Sequence, residues 1–109
     1  MVPTPLRILF DHGKPRPLRR MIEGHTVDSC YEKGWAELAN SALLDAAERE
    51  GYDLLITTDQ GIRHQQNLAA RSLAIIVIRA DWRDVRGRID TILRTIDGAS
   101  PGRLFELLE

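Results

Sequence analysis

Tyr52-Asp53-Leu54-Leu55-Ile56-Thr57-Thr58-Asp59 is the stretch on which the fold turns. Its apolar middle reads as a buried strand, and it stops at a polar step ending in an aspartate. Just before it, Leu43, Leu44, Ala46 and Ala47 recur at helical spacing. Asn40 or Ser41 supplies an N-cap and Gly51 stands where a helix C-cap belongs, which predicts a helix over 41–50. Beyond it, residues 62–71 read as helix with Ile62, Leu68 and Ala69 facing inward. Residues 73–78 are apolar throughout, the pattern of a strand buried on both faces. Val85, Ile89, Ile92, Leu93 and Ile96 then mark an amphipathic helix from 81 or 82 to 96, ended by Gly98, Ser100, Pro101 and Gly102. Upstream, residues 6–10 form another apolar strand that also ends in an aspartate, Asp11. Gly13, Pro15 and Pro17 break regular structure, a short helix is expected over 18–22, and a short strand over 25–29.

Strands and helices therefore alternate, which predicts an α/β fold with a mostly parallel sheet and helices on both of its faces. The apolar tail Leu104-Phe105-Glu106-Leu107-Leu108 is expected to dock on the body of the domain or on a partner. In sheets of this kind ligands bind beyond the carboxyl ends of the strands. That rule directs attention to Asp11 and Asp59, each following a strand. If the two strands are parallel neighbours, about 4.8 Å apart, both carboxylates emerge on one edge and can share a hard cation such as Mg²⁺ or Mn²⁺. The same two aspartates would equally serve as turn-capping residues.

With 109 residues the chain is expected to be one domain. Fifteen basic and sixteen acidic residues leave a net charge of -1, which argues against nucleic-acid binding by bulk charge alone. The distribution is uneven. Residues 1–25 carry +3, residues 26–60 carry -6 and residues 61–109 carry +2. Lys14, Arg16, Arg19 and Arg20 form a basic cluster just after Asp11, where an RNA backbone would need cations; a solvated surface is the competing reading. The single cysteine, Cys30, excludes an internal disulfide and is expected to be buried. Neither a secretion signal nor an apolar run approaching the about 20 residues of a membrane span is visible, so a cytoplasmic protein without membrane contact is expected.

The residues Arg7-Ile8-Leu9-Phe10-Asp11-His12, then Pro15 and Pro17-Leu18, Gly34-Trp35-Ala36-Glu37-Leu38-Ala39-Asn40, Leu54-Leu55-Ile56-Thr57-Thr58-Asp59-Gln60, Gln65-Gln66-Asn67-Leu68 and Ile75-Ile76-Val77-Ile78-Arg79 occur in an order and spacing that resembles a family of small bacterial PIN-like proteins, across roughly residues 6–95. The resemblance implies a three-layer α/β/α sandwich with a central sheet of four or five strands. It also implies a metal-dependent ribonuclease, possibly the toxin of a toxin–antitoxin pair with an antitoxin-like protein as partner. In that family, acidic residues gather around Mg²⁺ or Mn²⁺ and a metal-activated water cleaves RNA. Asp11 and Asp59 match two of those acids by position. Asn40 and Gly61 stand where two more are common, which favours the alternative of a PIN-like domain that has lost catalysis and serves as a binding module. Glu37, Asp45 and Asp81 are the available substitutes. Asp81 follows the last apolar strand and so lies on the same edge, or caps the helix after it. Asn40 and Asp81 are therefore carried as assisting residues.

Among the rest, His12 adjoins Asp11, whereas His25 and His64 lack the partner spacing of a zinc site. Arg79, at the end of an apolar strand, is a candidate partner for either aspartate. Gln60, Gln65, Gln66 and Asn67 are candidate cleft residues. Trp35 and Trp82 read as core or interface anchors, and Trp82 with the apolar tail makes a homodimer conceivable. No phosphate-binding glycine loop, Ser-His-Asp set or Cys-His cluster is present.

Overall fold

Apolar runs of four or five residues, each closed by a polar residue or a turn, build the centre of the protein. In a computed structural model that describes residues 6–11, 22, 24–35, 37–38, 40–57, 61–62, 68–78 and 89–107, they become strands β1 (Arg7–Phe10), β2 (Thr26–Ser29), β3 (Leu54–Thr57), β4 (Ala74–Ile78) and β5 (Leu104–Leu107). All pair in parallel, in the order β2-β1-β3-β4-β5. Helix α1 (Asn40–Arg49) links β2 to β3, and α2 (Ile89–Asp97) lies between β4 and β5.

Period-two alternation sorts the strand residues into two cores. Ile8, Phe10, Leu54, Ile56, Ala74, Ile76 and Ile78 face one way and pack with Ile92 and Ile96 of α2. Leu9, Leu55, Ile75 and Val77 face the other way and pack with Leu43, Leu44 and Ala47 of α1. One helix therefore covers each face, giving three layers, and the middle strands show no polar face at all. Each large side chain buried in these layers contributes about 1.5–3 kcal/mol.

The elements depart from the sequence expectations in instructive places. The apolar segment at 104–107 enters the sheet as its edge strand, because β4 offers a ladder in register, Ile75 with Leu104 through Ile78 with Leu107. Between 62 and 71 the described residues end in a short 3-10 turn, Leu68–Ala70, closed by a hydrogen bond from the Arg71 amide to the Leu68 carbonyl. Ile62 is buried there as expected, but Ala69 is exposed. Its carbonyl instead meets Gly102, where an added Cβ would stand 2.5 Å from the oxygen. The first part of the helix expected from 81 or 82, and the helix expected over 18–22, fall outside the described residues except Ile22, which is buried.

Gly102 also occupies the third position of a Ser100-Pro101-Gly102-Arg103 turn, with φ +78° and the Arg103 amide donating to the Ser100 carbonyl at 3.1 Å. Proline second and a left-handed third residue are the requirements of a type II turn. Gly102→Ala therefore meets both a backbone penalty and a collision. It is expected to lower unfolding stability by roughly 2 kcal/mol or more in urea denaturation, whereas Gly98→Ala, whose added Cβ would have no atom closer than 3.6 Å, should cost much less.

Candidate functional site at the carboxyl edge of the sheet

After β1 the chain turns to one side to form β2; all later strands lie on the other side, beginning with β3. The reversal makes the carboxyl ends of β1 and β3 the switch point of the sheet, the place where open parallel sheets bind ligands. Asp11 is the first residue past β1 on this edge. Its amide donates to the Ile56 carbonyl at 3.0 Å, so β3 still holds its backbone. Its side chain is only 6% exposed, and Oδ2 accepts a 2.8 Å bond from the Thr57 hydroxyl at the end of β3. A carboxylate at the lip of a sheet, held by a buried hydroxyl, has a fixed orientation. Sequence spacing singles out Asp11 but gives Thr57 no role, because the contact bridges 46 residues and depends on the β1–β3 register.

The β2 side of this edge is held by its own bonds. Cys30 is buried, and its amide donates to the Phe10 carbonyl at 2.8 Å, placing it beside Asp11. A one-turn helical segment follows. Ser29 and Glu32 cap it reciprocally, the Ser29 amide donating to Glu32 Oε1 and the Glu32 amide to Ser29 Oγ, both at 3.1 Å. At its other end, Gly34 with φ +76° donates to the Tyr31 carbonyl while Trp35 donates to the Cys30 carbonyl, a Schellman closure. Trp35 packs with Cys30 in the core behind it.

The remaining candidates divide clearly. Asp59, Asp81, His12, Arg79 and the basic residues Lys14, Arg16, Arg19 and Arg20 lie outside the described residues, as do Gln60, His64, Gln65, Gln66, Asn67 and Trp82. Asn40 opens α1, which returns the chain toward the amino edge of β3, so it starts on the carboxyl side of the sheet. Glu37 is exposed. Asp45 is 58% exposed and bonds Arg71 at 2.8 Å, in the approach to β4 at the opposite edge, so it is not brought to Asp11. His25 has a structural task, its Nδ1 accepting the Leu6 amide at 2.9 Å. Among the described residues no group of three or more His, Cys, Asp or Glu could hold a metal. Asp11 by itself fits a hard cation in donor chemistry, being a fixed, largely buried carboxylate.

Among the described residues, the shifted titrations are those of Glu48, Tyr52 and Arg71. Burial alone would raise the Glu48 carboxyl, but hydrogen bonds from Arg71 and Ser72 outweigh it and hold Glu48 below its ordinary value. The Arg71 guanidinium is raised by its bonds to Asp45 and Glu48. The Tyr52 phenol is pushed up to about 12, first by burial, then by its 2.6 Å bond to Asp28 and that carboxylate's charge.

Two predictions follow the same logic of buried partners. Thr57→Val removes the donor to Asp11 at nearly constant volume, so it should cost roughly 2 kcal/mol in denaturation, and Thr57→Ser much less. For Tyr52, the unfolded phenol ionises near 10 and the folded one near 12. Between those values the unfolded chain holds fewer protons, so stability falls as pH rises through that window, on the order of 2 kcal/mol in all. Tyr52→Phe should be slightly less stable at neutral pH and show a flatter alkaline limb in the same measurement.

No family model matches the chain, nor does any curated protein or solved structure.

Proposed function

We propose that the chain is a metal-dependent ribonuclease of the PIN-like type, acting at the switch point beyond β1 and β3. The observation that supports this reading is Asp11: a carboxylate 6% exposed, at the point where strand order reverses, held by Thr57. The order and spacing of the quoted motifs support it as well. Asp11 and Asp59, two residues past Thr57 in sequence, would hold Mg²⁺ or Mn²⁺. Asn40 and Asp81 would assist directly or through water, and Lys14, Arg16, Arg19 and Arg20 would neutralise phosphates. A bound cation of this kind lowers the pKa of its water and stabilises charge on a phosphoryl oxygen. The chain's own contribution is to orient the carboxylate through Thr57 and to position RNA through its arginines. A role as the toxin of a toxin–antitoxin pair, in the cytoplasm, belongs to the same reading. Among the described residues no helix is long and apolar enough to cross a membrane.

Asn40 and Gly61, at positions often acidic in the resembled family, favour one alternative: a PIN-like binding module without catalysis. Calorimetric titration with Mn²⁺ and an RNA cleavage assay separate the two. The nuclease reading expects wild type to bind Mn²⁺, Asp11→Asn to weaken that binding at least tenfold, and Asp59→Asn to leave intact an RNA that wild type degrades. Equal Mn²⁺ affinity in wild type and Asp11→Asn overturns the metal site. Metal binding without cleavage above the Asp59→Asn level selects the module.

A further inference from the structure

Helix α1 turns Leu43, Leu44 and Ala47 into the core. Ala42, Asp45, Ala46 and Arg49, spaced by three and four, share its opposite face. With Gly34, Trp35 and Leu38 of the preceding segment, and Glu50 just past the helix, that face forms an open trough of about 610 Å³. Its floor is apolar. Trp35 and Leu38 are half-buried against the core, and Ala42 and Ala46 carry only methyl groups. Small residues at i and i+4 let a second helix approach α1 closely, where longer side chains would hold it away. From Ala42 to Glu50 the trough follows the chain for about 12 Å, roughly two helical turns.

The charge around the trough is one-sided. Residues 31–50 hold five acidic and two basic residues. Asp45 and Glu50 stand on the rim with side chains 58% and 47% exposed, and Glu37, between Trp35 and Leu38 in sequence, is exposed as well. The chain itself shows which charge this rim accepts. The Lys33 ammonium lies 3.4 Å from Glu50 and 5.4 Å from the centroid of the Trp35 ring. A carboxylate beside an aromatic face attracts a cation twice over, whereas the same acids repel a phosphate backbone. A second copy of α1 is equally unsuited, because a two-fold contact centred on Ala42 and Ala46 would set the Asp45 carboxylates of the two copies beside each other.

We propose that the trough along α1 is a docking site for a basic amphipathic helix of a second protein. That helix lays an apolar stripe over Leu38, Ala42 and Ala46 and sets Lys or Arg against Asp45 and Glu50. The surface is distinct from Asp11 and its strand ends, so the proposal does not rest on the nuclease reading.

The test is isothermal titration of the full chain with two synthetic helical peptides that share one leucine stripe, the first flanked by lysines and the second by glutamates. Wild type is expected to bind the lysine peptide roughly tenfold or more tighter than the glutamate peptide. Ala42→Arg fills the trough at an exposed helix position and should weaken lysine-peptide binding roughly tenfold. Glu50→Gln should weaken it by a smaller factor and reduce its salt dependence. Thr91→Arg, an exposed position on α2 across the sheet, adds the same charge as Ala42→Arg and should bind as wild type. Circular dichroism melting of each variant should match wild type. Equal affinity for the two peptides overturns the proposal, as does no binding by wild type or an equal loss in Ala42→Arg and Thr91→Arg. Sedimentation showing a wild-type dimer that Ala42→Arg dissociates would assign the trough to a second copy and overturn it too.

Discussion

Strands β1, β3 and β4 meet water on neither face, and most of what the protein can do follows from that. A polar side chain within such a strand would have to be satisfied inside an apolar layer. The middle strands therefore carry Ile, Leu, Val, Ala and Phe almost to their last residue, and polar chemistry is confined to the ends. Thr57 is the one polar residue that closes a central strand from within, and its hydroxyl is spent on Asp11. The carboxylate is thus held where the dry interior ends at the carboxyl edge of the sheet, by the same packing that makes the sheet stable.

The amino edge is closed by a different set of contacts. Arg7 and Asp53 bond reciprocally, the Arg7 amide to Asp53 Oδ2 at 2.9 Å and the Asp53 amide to the Arg7 carbonyl at 2.8 Å. The Arg7 guanidinium donates to the Glu50 carbonyl and lies 4.5 Å from the centroid of the Tyr52 ring. Arg71 gathers Asp45 and Glu48 on the flank of α1. Asp45, Glu48 and Asp53, three of the acidic residues in the middle of the sequence, are in this way engaged at the end of the sheet away from Asp11. Whole-chain net charge therefore says little about the charge at any one place on the sheet.

The parts of this arrangement readable in sequence are those set by local periodicity. Residues 54–56 and 74–78 are unbroken apolar runs, and Leu43, Leu44 and Ala47 keep helical spacing up to Gly51, so β3, β4 and α1 are legible as elements. The 104–107 segment is legible only as apolar; that it is a strand depends on a ladder offered by residues some 29 positions away. Of the helix expected over 62–71, residues 63–67 lie outside the described residues, and 68–70 form a short 3-10 turn whose Ala69 carbonyl approaches Gly102 too closely for a Cβ there. Asp11 is readable as a residue past a strand, whereas its bond to Thr57 requires the register of two strands. The Ser29–Glu32 spacing and Gly34 are local signals of a capped turn, but the exposure of Tyr31 within it is visible only in the folded chain.

Helix α1 and the turn after β2 end in the same way. At Gly51 the amide donates to the Glu48 carbonyl and that of Tyr52 to the Ala47 carbonyl, as Gly34 and Trp35 do with Tyr31 and Cys30. Each closure delivers an aromatic residue to its inner side, and the two rings meet edge to face, with centroids 6.2 Å apart. Tyr52 is further tied to Asp28 of β2. Two chain reversals on separate elements are thereby welded at a single aromatic joint. Neither can open without disturbing the other, so residues 29–35 and 47–52 should exchange their amide hydrogens as one cooperative unit. The turn after β2 is thus stiffened by the end of α1 through side chains.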